Sequence, residues 1–224
     1  MIAEELINQM IPPLKLSDPA DKALRWMEEF RVNQLPVVKG REYLGMVTEK
    51  DISEAAGEQS KNMTLAQIPF GFADSFVIHY QHFYNVMEVA IRSKIQVVPV
   101  LDEYRDFLGV ITVNDTITAF GQMSALQGQG GILVLCMPER DYSLSEISRH
   151  VESNNAKILS AYVSPDEMDL HDIKLTLKIN TTDLRHIIAT LERFQYRITA
   201  QFQEAGEVKS DQDRLDMLLK YLDL

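Results

Sequence analysis

The chain repeats itself. Residues 34–51 read Gln-Leu-Pro-Val-Val-Lys-Gly-Arg-Glu-Tyr-Leu-Gly-Met-Val-Thr-Glu-Lys-Asp. Residues 97–115 read Val-Val-Pro-Val-Leu-Asp-Glu-Tyr-Arg-Asp-Phe-Leu-Gly-Val-Ile-Thr-Val-Asn-Asp. Pro36 aligns with Pro99 at an offset of 63, and Gly45, Thr48 and Asp51 align with Gly109, Thr112 and Asp115 at 64. The extra residue falls between two strand-like runs, where a turn tolerates insertion. A duplication of this size constrains the fold more than composition does, because both copies must adopt one local plan and can bury their apolar faces on each other.

Within each copy the pattern is readable. Residues 35–38 and 97–101 are short, mostly β-branched runs, which predicts buried strands. Residues 39–41 and 102–105 are turns, and 43–47 and 107–111 are second strands. Each second strand ends at a threonine that opens a helix. An amphipathic helix precedes each hairpin, with Ala23, Leu24, Met27 and Phe30 in the first copy and Val86, Val89, Ala90 and Ile91 in the second. Asp18-Pro19 reads as an N-cap followed by proline at the first helical position. Each copy is therefore strand–helix–strand–strand–helix.

Thr48-x-x-Asp51 and Thr112-x-x-Asp115 have the spacing of a capping box, which accounts for both without a ligand. The same geometry suits a second use. A helix N-terminus offers free amides and a positive dipole end to a phosphate, and a carboxylate one turn in can accept from ribose hydroxyls. Both readings stand at this point.

The segment 6–24, the Leu-Pro-Val-Val at 35–38 and Gly45-Met-Val-Thr-Glu-Lys-Asp51 resemble a CBS domain, and the second copy repeats the Val-Pro-Val and the Gly-x-x-Thr-x-x-Asp. The resemblance covers residues 1–122 as a tandem pair, about 1–58 and 59–122. It implies a non-catalytic regulatory or sensor protein that binds an adenosine nucleotide or nucleoside of the AMP, ATP or S-adenosylmethionine class. It assigns Pro36, Val37, Thr48 and Asp51 to one site and Pro99, Val100, Thr112 and Asp115 to the other. Threonine and aspartate would hold phosphate and ribose, and adenine would lie by the Pro-Val strand. The acidic chain and the scarcity of local cations (Lys50 beside the first motif) favour AMP or S-adenosylmethionine over ATP. The alternative is a structural dimerisation or interaction protein with no physiological small ligand. At the entry to the second copy, His79 and Tyr80 stand opposite Leu16 and Ser17. His79 and His82 cross a strand–helix junction, where they serve as junction residues or line the pocket; no metal is expected.

Residues 130–137 form a continuous apolar run, a central strand. Ser143-x-x-Glu146 opens a helix with Leu144, Ile147 and Val151 on one stripe. Residues 158–163 are a strand. Residues 173–179 alternate, with Ile173, Leu175, Leu177 and Ile179 inward. Thr182-Asp183 opens a helix carrying Leu184, Ile187, Ile188, Leu191 and Phe194, and 198–202 is a last strand. This β-α-β-β-α-β order predicts a ferredoxin-like sandwich, so the whole chain is of the α+β class. Residues 154–162 resemble the helix-to-strand passage of ACT domains, and the domain order resembles CBS–ACT proteins of the acetoin-utilisation type. The ACT-like domain spans 130–205, and the resemblance puts the amino-acid site of such domains at the turn 138–144, with Tyr142 about where they carry a glycine. Residues 210–224 read as a C-terminal amphipathic helix, capped by Ser210-x-x-Asp213 and striped by Leu215, Leu218, Leu219 and Leu222. It is expected to dock on the protein's own sheet or on a partner subunit.

Net charge is −11, and it is spread evenly, −6 over residues 1–125 and −5 over 126–224. With no basic face to neutralise phosphates, nucleic acid is not an expected partner. The single cysteine, Cys136, excludes a disulfide within the chain and fits a reducing compartment; inside an apolar run it reads as a small buried hydrophobe. Residues 1–10 lack a cationic leader pattern, and no apolar run approaches the ~20 residues that span a bilayer. The expectation is a cytoplasmic protein with no membrane contact. No nucleophile elbow, phosphate-binding loop, zinc spacing or dinucleotide fingerprint is present, so no enzymatic activity is expected. CBS pairs and ACT domains commonly self-associate, which implies a homodimer and a protein partner; Trp26 and Phe30 form a candidate aromatic patch.

Overall fold

The computed structural model describes residues 1–56, 63–122, 127–169 and 171–203. The chain divides into two compact units, Met1–Gly121 and Gln122–Leu224.

The first unit contains β1 (Leu14–Lys15), α1 (Ala20–Phe30), β2 (Gln34–Lys39), β3 (Glu42–Thr48) and α2 (Glu49–Ala56), then β4 (Val77–Ile78), α3 (Phe83–Ser93), β5 (Val97–Leu101), β6 (Phe107–Thr112) and α4 (Val113–Gly121). The order read from the sequence appears in both copies. Each copy forms a three-stranded sheet in which the first strand runs parallel to the second and the second antiparallel to the third. Symmetry extends to the helix ends. α1 stops at Arg31 (φ 55°) and α3 at Lys94 (φ 54°), both left-handed. The amide that follows each donates back into its helix, Val32 to Met27 O at 2.9 Å and Ile95 to Ala90 O at 3.0 Å. Such a cap satisfies carbonyls that a helix end leaves open and turns the chain sharply into the next strand.

The apolar runs pack as their periodicity predicts, except at Ile91 of α3, which is 74% exposed. Leu14, Val37 and Val47 pack with Ala23 and Met27 in one core, and Val97 and Val110 of the second copy join them. Val77, Val98, Val100 and Ile111 pack with Val86 and Val89 in the other. The copies also exchange arms. Asn8, ahead of β1, pairs with Val110 in β6, its amide donating to Val110 O at 2.8 Å. Gly71, ahead of β4, pairs with Met46 in β3, through bonds of 2.7 and 3.1 Å.

Two cap assignments are corrected. The residue before α1 is Pro19, not Asp18, and it caps with no side-chain bond. The Asp18 carboxylate turns away, accepting from Lys15 N and Lys22 Nζ, each at 2.8 Å. The first helical amide, Ala20 N, donates instead to Met63 O at 2.9 Å, and the Asp18 carboxylate serves the preceding turn. In the second unit the last helix opens at Arg185 rather than at Thr182. Asp183 is taken by its neighbour, accepting from the Arg185 amide and guanidinium.

The second unit contains β7 (Gly131–Pro138), α5 (Leu144–Glu152), β8 (Ile158–Pro165), β9 (Asp172–Ile179), α6 (Arg185–Arg193) and β10 (Arg197–Gln203). Its strands lie in the order β10-β7-β9-β8, every neighbour antiparallel. Ser143 caps α5 as predicted, its hydroxyl accepting from Glu146 N at 3.4 Å. One face of the sheet carries the core: Leu133, Leu135, Leu175, Leu177 and Ile179 pack against Ile147, Val151, Ile187 and Leu191 of the helices. The predicted helix at 210–224 and the junction at 58–59 lie outside the described residues. Among the described residues, no helix is long and apolar enough to cross a membrane.

Candidate functional site

The two Thr-x-x-Asp motifs form closed capping boxes of nearly identical geometry. Asp51 Oδ2 accepts from Thr48 N (2.9 Å) and from Thr48 Oγ1 (2.7 Å), while Asp51 N donates to Thr48 Oγ1 (3.0 Å). Asp115 Oδ2 accepts from Thr112 N (2.8 Å) and Thr112 Oγ1 (2.7 Å), and Asp115 N donates to Thr112 Oγ1 (3.0 Å). Each box starts a helix directly off a strand, so it fixes the chain's turn as well as two end amides, worth ~1 kcal/mol.

Their surroundings differ. Beside the second motif the exchanged arm supplies Asn8, whose Nδ2 donates to Asp115 Oδ1 and Oδ2 at 3.3 and 3.2 Å. A cleft of about 470 Å³ opens there, lined by Asn8, Met10 and Ile11, by Phe30, Arg31 and Val32 at the end of α1, and by Gln96, Thr112 and Asp115. This volume is in the range of small-molecule sites. The first motif has Gly71 where the second has Asn8, so no side chain reaches Asp51 from that position. A neighbouring cleft of about 650 Å³ reaches Glu49 and Arg31 but not Thr48 or Asp51.

The remaining assigned residues sit deeper. In the sheet register Thr48 faces Gln34, and Pro36 and Val37 lie further along, opposite Met46 and Gly45. Thr112 likewise faces Val97, with Pro99 and Val100 opposite Val110 and Gly109. Val37 and Val100 are fully buried. Gln96, the residue just before β5, lines the cleft, and Pro99 and Val100 do not. Sequence reasoning missed Asn8, Met10, Arg31 and Gln96. The left-handed residue after α1 aims Arg31 there, and the repeat offset of 63 from Asn33 would have pointed to Gln96 as the residue entering its strand.

Arg31 supplies the cation that the second motif lacks locally. It forms no ion pair among the described residues. The cleft therefore combines a helix N-terminus, a guanidinium, two carboxylates, Glu29 and Asp115, the second with one lightly held oxygen, and apolar side chains. These match a phosphate, a sugar diol and a flat apolar ring in turn.

Two further polar groups lie elsewhere. His79 bridges two carboxylates, Glu4 at 3.2 Å and Glu103 at 3.4 Å. The bond to Glu4, aided by Glu103, raises its pKa above the ordinary histidine value. In the second unit Cys136 Sγ lies 3.2 Å from Asp166 and 3.6 Å from Asp172. Lys174 pairs with Asp166 at 3.0 Å and Arg197 with Asp172 at 2.7 Å, balancing the two negative charges. A hydrogen bond from Met168 N, then Lys174 and Cys136, hold Asp166 down to about 2, while burial pushes the Cys136 thiol up.

Residues 3–58 match the family model of the CBS domain. Among similar solved structures are a CBS domain pair/ACT domain protein from Thermotoga maritima (17% identity, 54% of this chain and 96% of that one, TM-score 0.47) and a protein proposed for acetoin utilization from Vibrio cholerae (19%, 57% and 95%, 0.48). A third is CBSX2 in complex with AMP (20%, 55% and 98%, 0.45). Residues 3–58 are a CBS domain, and residues 1–121 carry its order of elements twice.

Proposed function

We propose that the chain is a non-catalytic regulatory protein whose first unit, a tandem CBS pair, binds an adenosine nucleotide or nucleoside in the cleft at Thr112 and Asp115. The observation that carries this is the convergence of Arg31, the N-terminus of α4 and the Asp115 carboxylate on one cleft floored by Met10, Ile11 and Val32. In this reading phosphate takes Arg31 and the end amides of α4. The ribose diol takes Asp115 Oδ1, displacing the long bond from Asn8. Adenine lies on the apolar floor. A single phosphate fits one guanidinium in a chain of net charge −11, so AMP is favoured over ATP. The second unit is read as an ACT-like domain that, like the pair, associates with a second copy.

The test is thermal unfolding with AMP, ADP, ATP and S-adenosylmethionine. A ligand at 100 times its Kd should stabilise by about 2.7 kcal/mol and raise the midpoint by several degrees. Asp115→Ala and Arg31→Gln should each remove most of that shift. If no adenosine compound moves the midpoint, the boxes are helix caps only and the alternative, an interaction protein without a small ligand, takes its place.

A further inference from the structure

We propose that the open face of the second unit's sheet binds a small aromatic monoanion, a flat ring system carrying one carboxylate, at a site separate from the cleft at Asp115. The two helices cover one face of this sheet only. On the other face, register sets Phe202 of β10 beside Ile132 of β7, and Tyr162 of β8 beside Thr176 of β9, with Val134 next to Thr176. These residues line a groove of about 450 Å³, inside the range of small-molecule sites. Phe202 and Tyr162 stand on the two edge strands, three strand spacings or ~14 Å apart, so their rings wall a trough floored by Ile132, Val134 and Thr176. Phe202 is 59% exposed and Tyr162 60%. Two aromatic walls with free ring faces suit a flat ring between them, and a contiguous apolar patch of this kind marks a binding surface.

Charge chooses the occupant. Lys178 is the one charged residue lining the trough. Its Nζ lies 3.4 Å from the Gly130 carbonyl, and it forms no ion pair among the described residues. Ser160 stands opposite Lys178 in the ladder, and neither its hydroxyl nor that of Thr176 has a hydrogen-bond partner among the described residues. The β8–β9 side of the trough therefore offers an ammonium and two hydroxyls, while the β7–β10 side is apolar. An acid group takes the first through charge-assisted bonds, and a ring covers the second. Toward the far end of the same face the charges cancel, Arg197 pairing with Asp172 and Lys174 with Asp166. One unpaired cation in a chain of net charge −11 suits one acid group better than two. It also argues against a second copy of the same face, which would bring another Lys178 and, among the described residues, no unpaired carboxylate.

The experiment titrates naphthoate, and separately its neutral amide naphthamide, into the full chain with isoleucine and valine methyls labelled for NMR. Naphthoate should move the Ile132 and Val134 signals to saturation, and naphthamide should bind about tenfold more weakly, the worth of one charge-assisted bond. Lys178→Gln should erase that preference and Lys178→Arg should restore it. The proposal is overturned if neither compound moves these signals, or if both bind equally well. A preference for naphthoate that survives Lys178→Gln overturns it too. So does movement of the Ile132 and Val134 signals when the ligand-free protein is simply diluted, which assigns the face to a second copy.

Discussion

The two repeats of the first unit carry the same capping box to within 0.1 Å, yet their neighbourhoods differ. At the second box the exchanged arm brings an amide side chain, Asn8, against Asp115. At the first it brings Gly71, and the two backbones approach closely instead. Gly45, at φ +147°, has no room for a Cβ, which would run into the carbonyl oxygen of Gly71. At the equivalent Gly109 a Cβ would meet only the side chain of Ile7. Duplication thus preserved the helix starts and diverged at the contact between copies. One contact became a tight backbone seam, and the other became a polar corner beside a cleft.

The strongest test of that contrast is Gly45→Ala against Gly109→Ala. The first adds backbone strain to a collision with a carbonyl and should cost about 3 kcal/mol. The second displaces a rotatable side chain and should cost about 1 kcal/mol. Urea unfolding of both variants checks the difference, and equal losses would erase the distinction between the seams. Next comes the pair of caps. Asp51→Ala should cost about 1 kcal/mol, and Asp115→Ala about 2 kcal/mol because it also strands the Asn8 amide. In a double-mutant cycle the excess should vanish when Asn8 is already alanine. A smaller effect comes from making the copies alike. A Cβ on Gly71 meets nothing within 4 Å, so Gly71→Asn can offer Asp51 the amide that Asn8 offers Asp115. It should stabilise by about 0.5–1 kcal/mol, and a loss of stability would show that the seam tolerates no side chain.

The smallest expected effect is in pH. His79 stands where the first copy has Leu16, and its pKa is raised by Glu4 and Glu103. A raised folded-state pKa means the folded form holds the proton more tightly. The His79 contribution is therefore complete below the unfolded value of ~6.5 and is lost as pH rises through the higher folded one. His79→Gln should flatten that decline in the midpoint between pH 6 and 8. An unchanged slope would mean the two bridges are solvated contacts of no consequence.

How much of this was legible beforehand follows from range. The strands and helices of both units were readable because periodicity is local. Val97 to Leu101 is a strand by its own composition, and Ile147 and Val151 mark a helical stripe unaided. The boxes were readable because threonine and aspartate lie three residues apart. The cleft was not, since Asn8 comes to Asp115 from 107 residues away and Arg31 is aimed by a left-handed turn that no glycine announces. Cys136 is buried, as its apolar run implied, but its polar partners were not readable, for a related reason. Its neighbours Leu135 and Met137 point to the core, but Cys136 lies on the opposite face of β7, beside partners 30 and 61 residues distant. The misplaced starts of α1 and α6 arose from aspartates with two local uses, where a nearby cation won.

The exchanged arms also bear on how the first unit comes into being. A segment that must find its strand in the other copy, Asn8 on β6 and Gly71 on β3, cannot finish its own copy alone. Neither repeat is then an autonomous foldon. Separate expression of either should give a chain with unsatisfied strand edges rather than half of a working protein. The closure joining residue 8 to residue 110 has the longest span and the highest loop entropy to overcome. It would come late in folding and open early in unfolding. Protection of the Asn8 amide from hydrogen exchange would be a direct gauge of whether the unit melts as one.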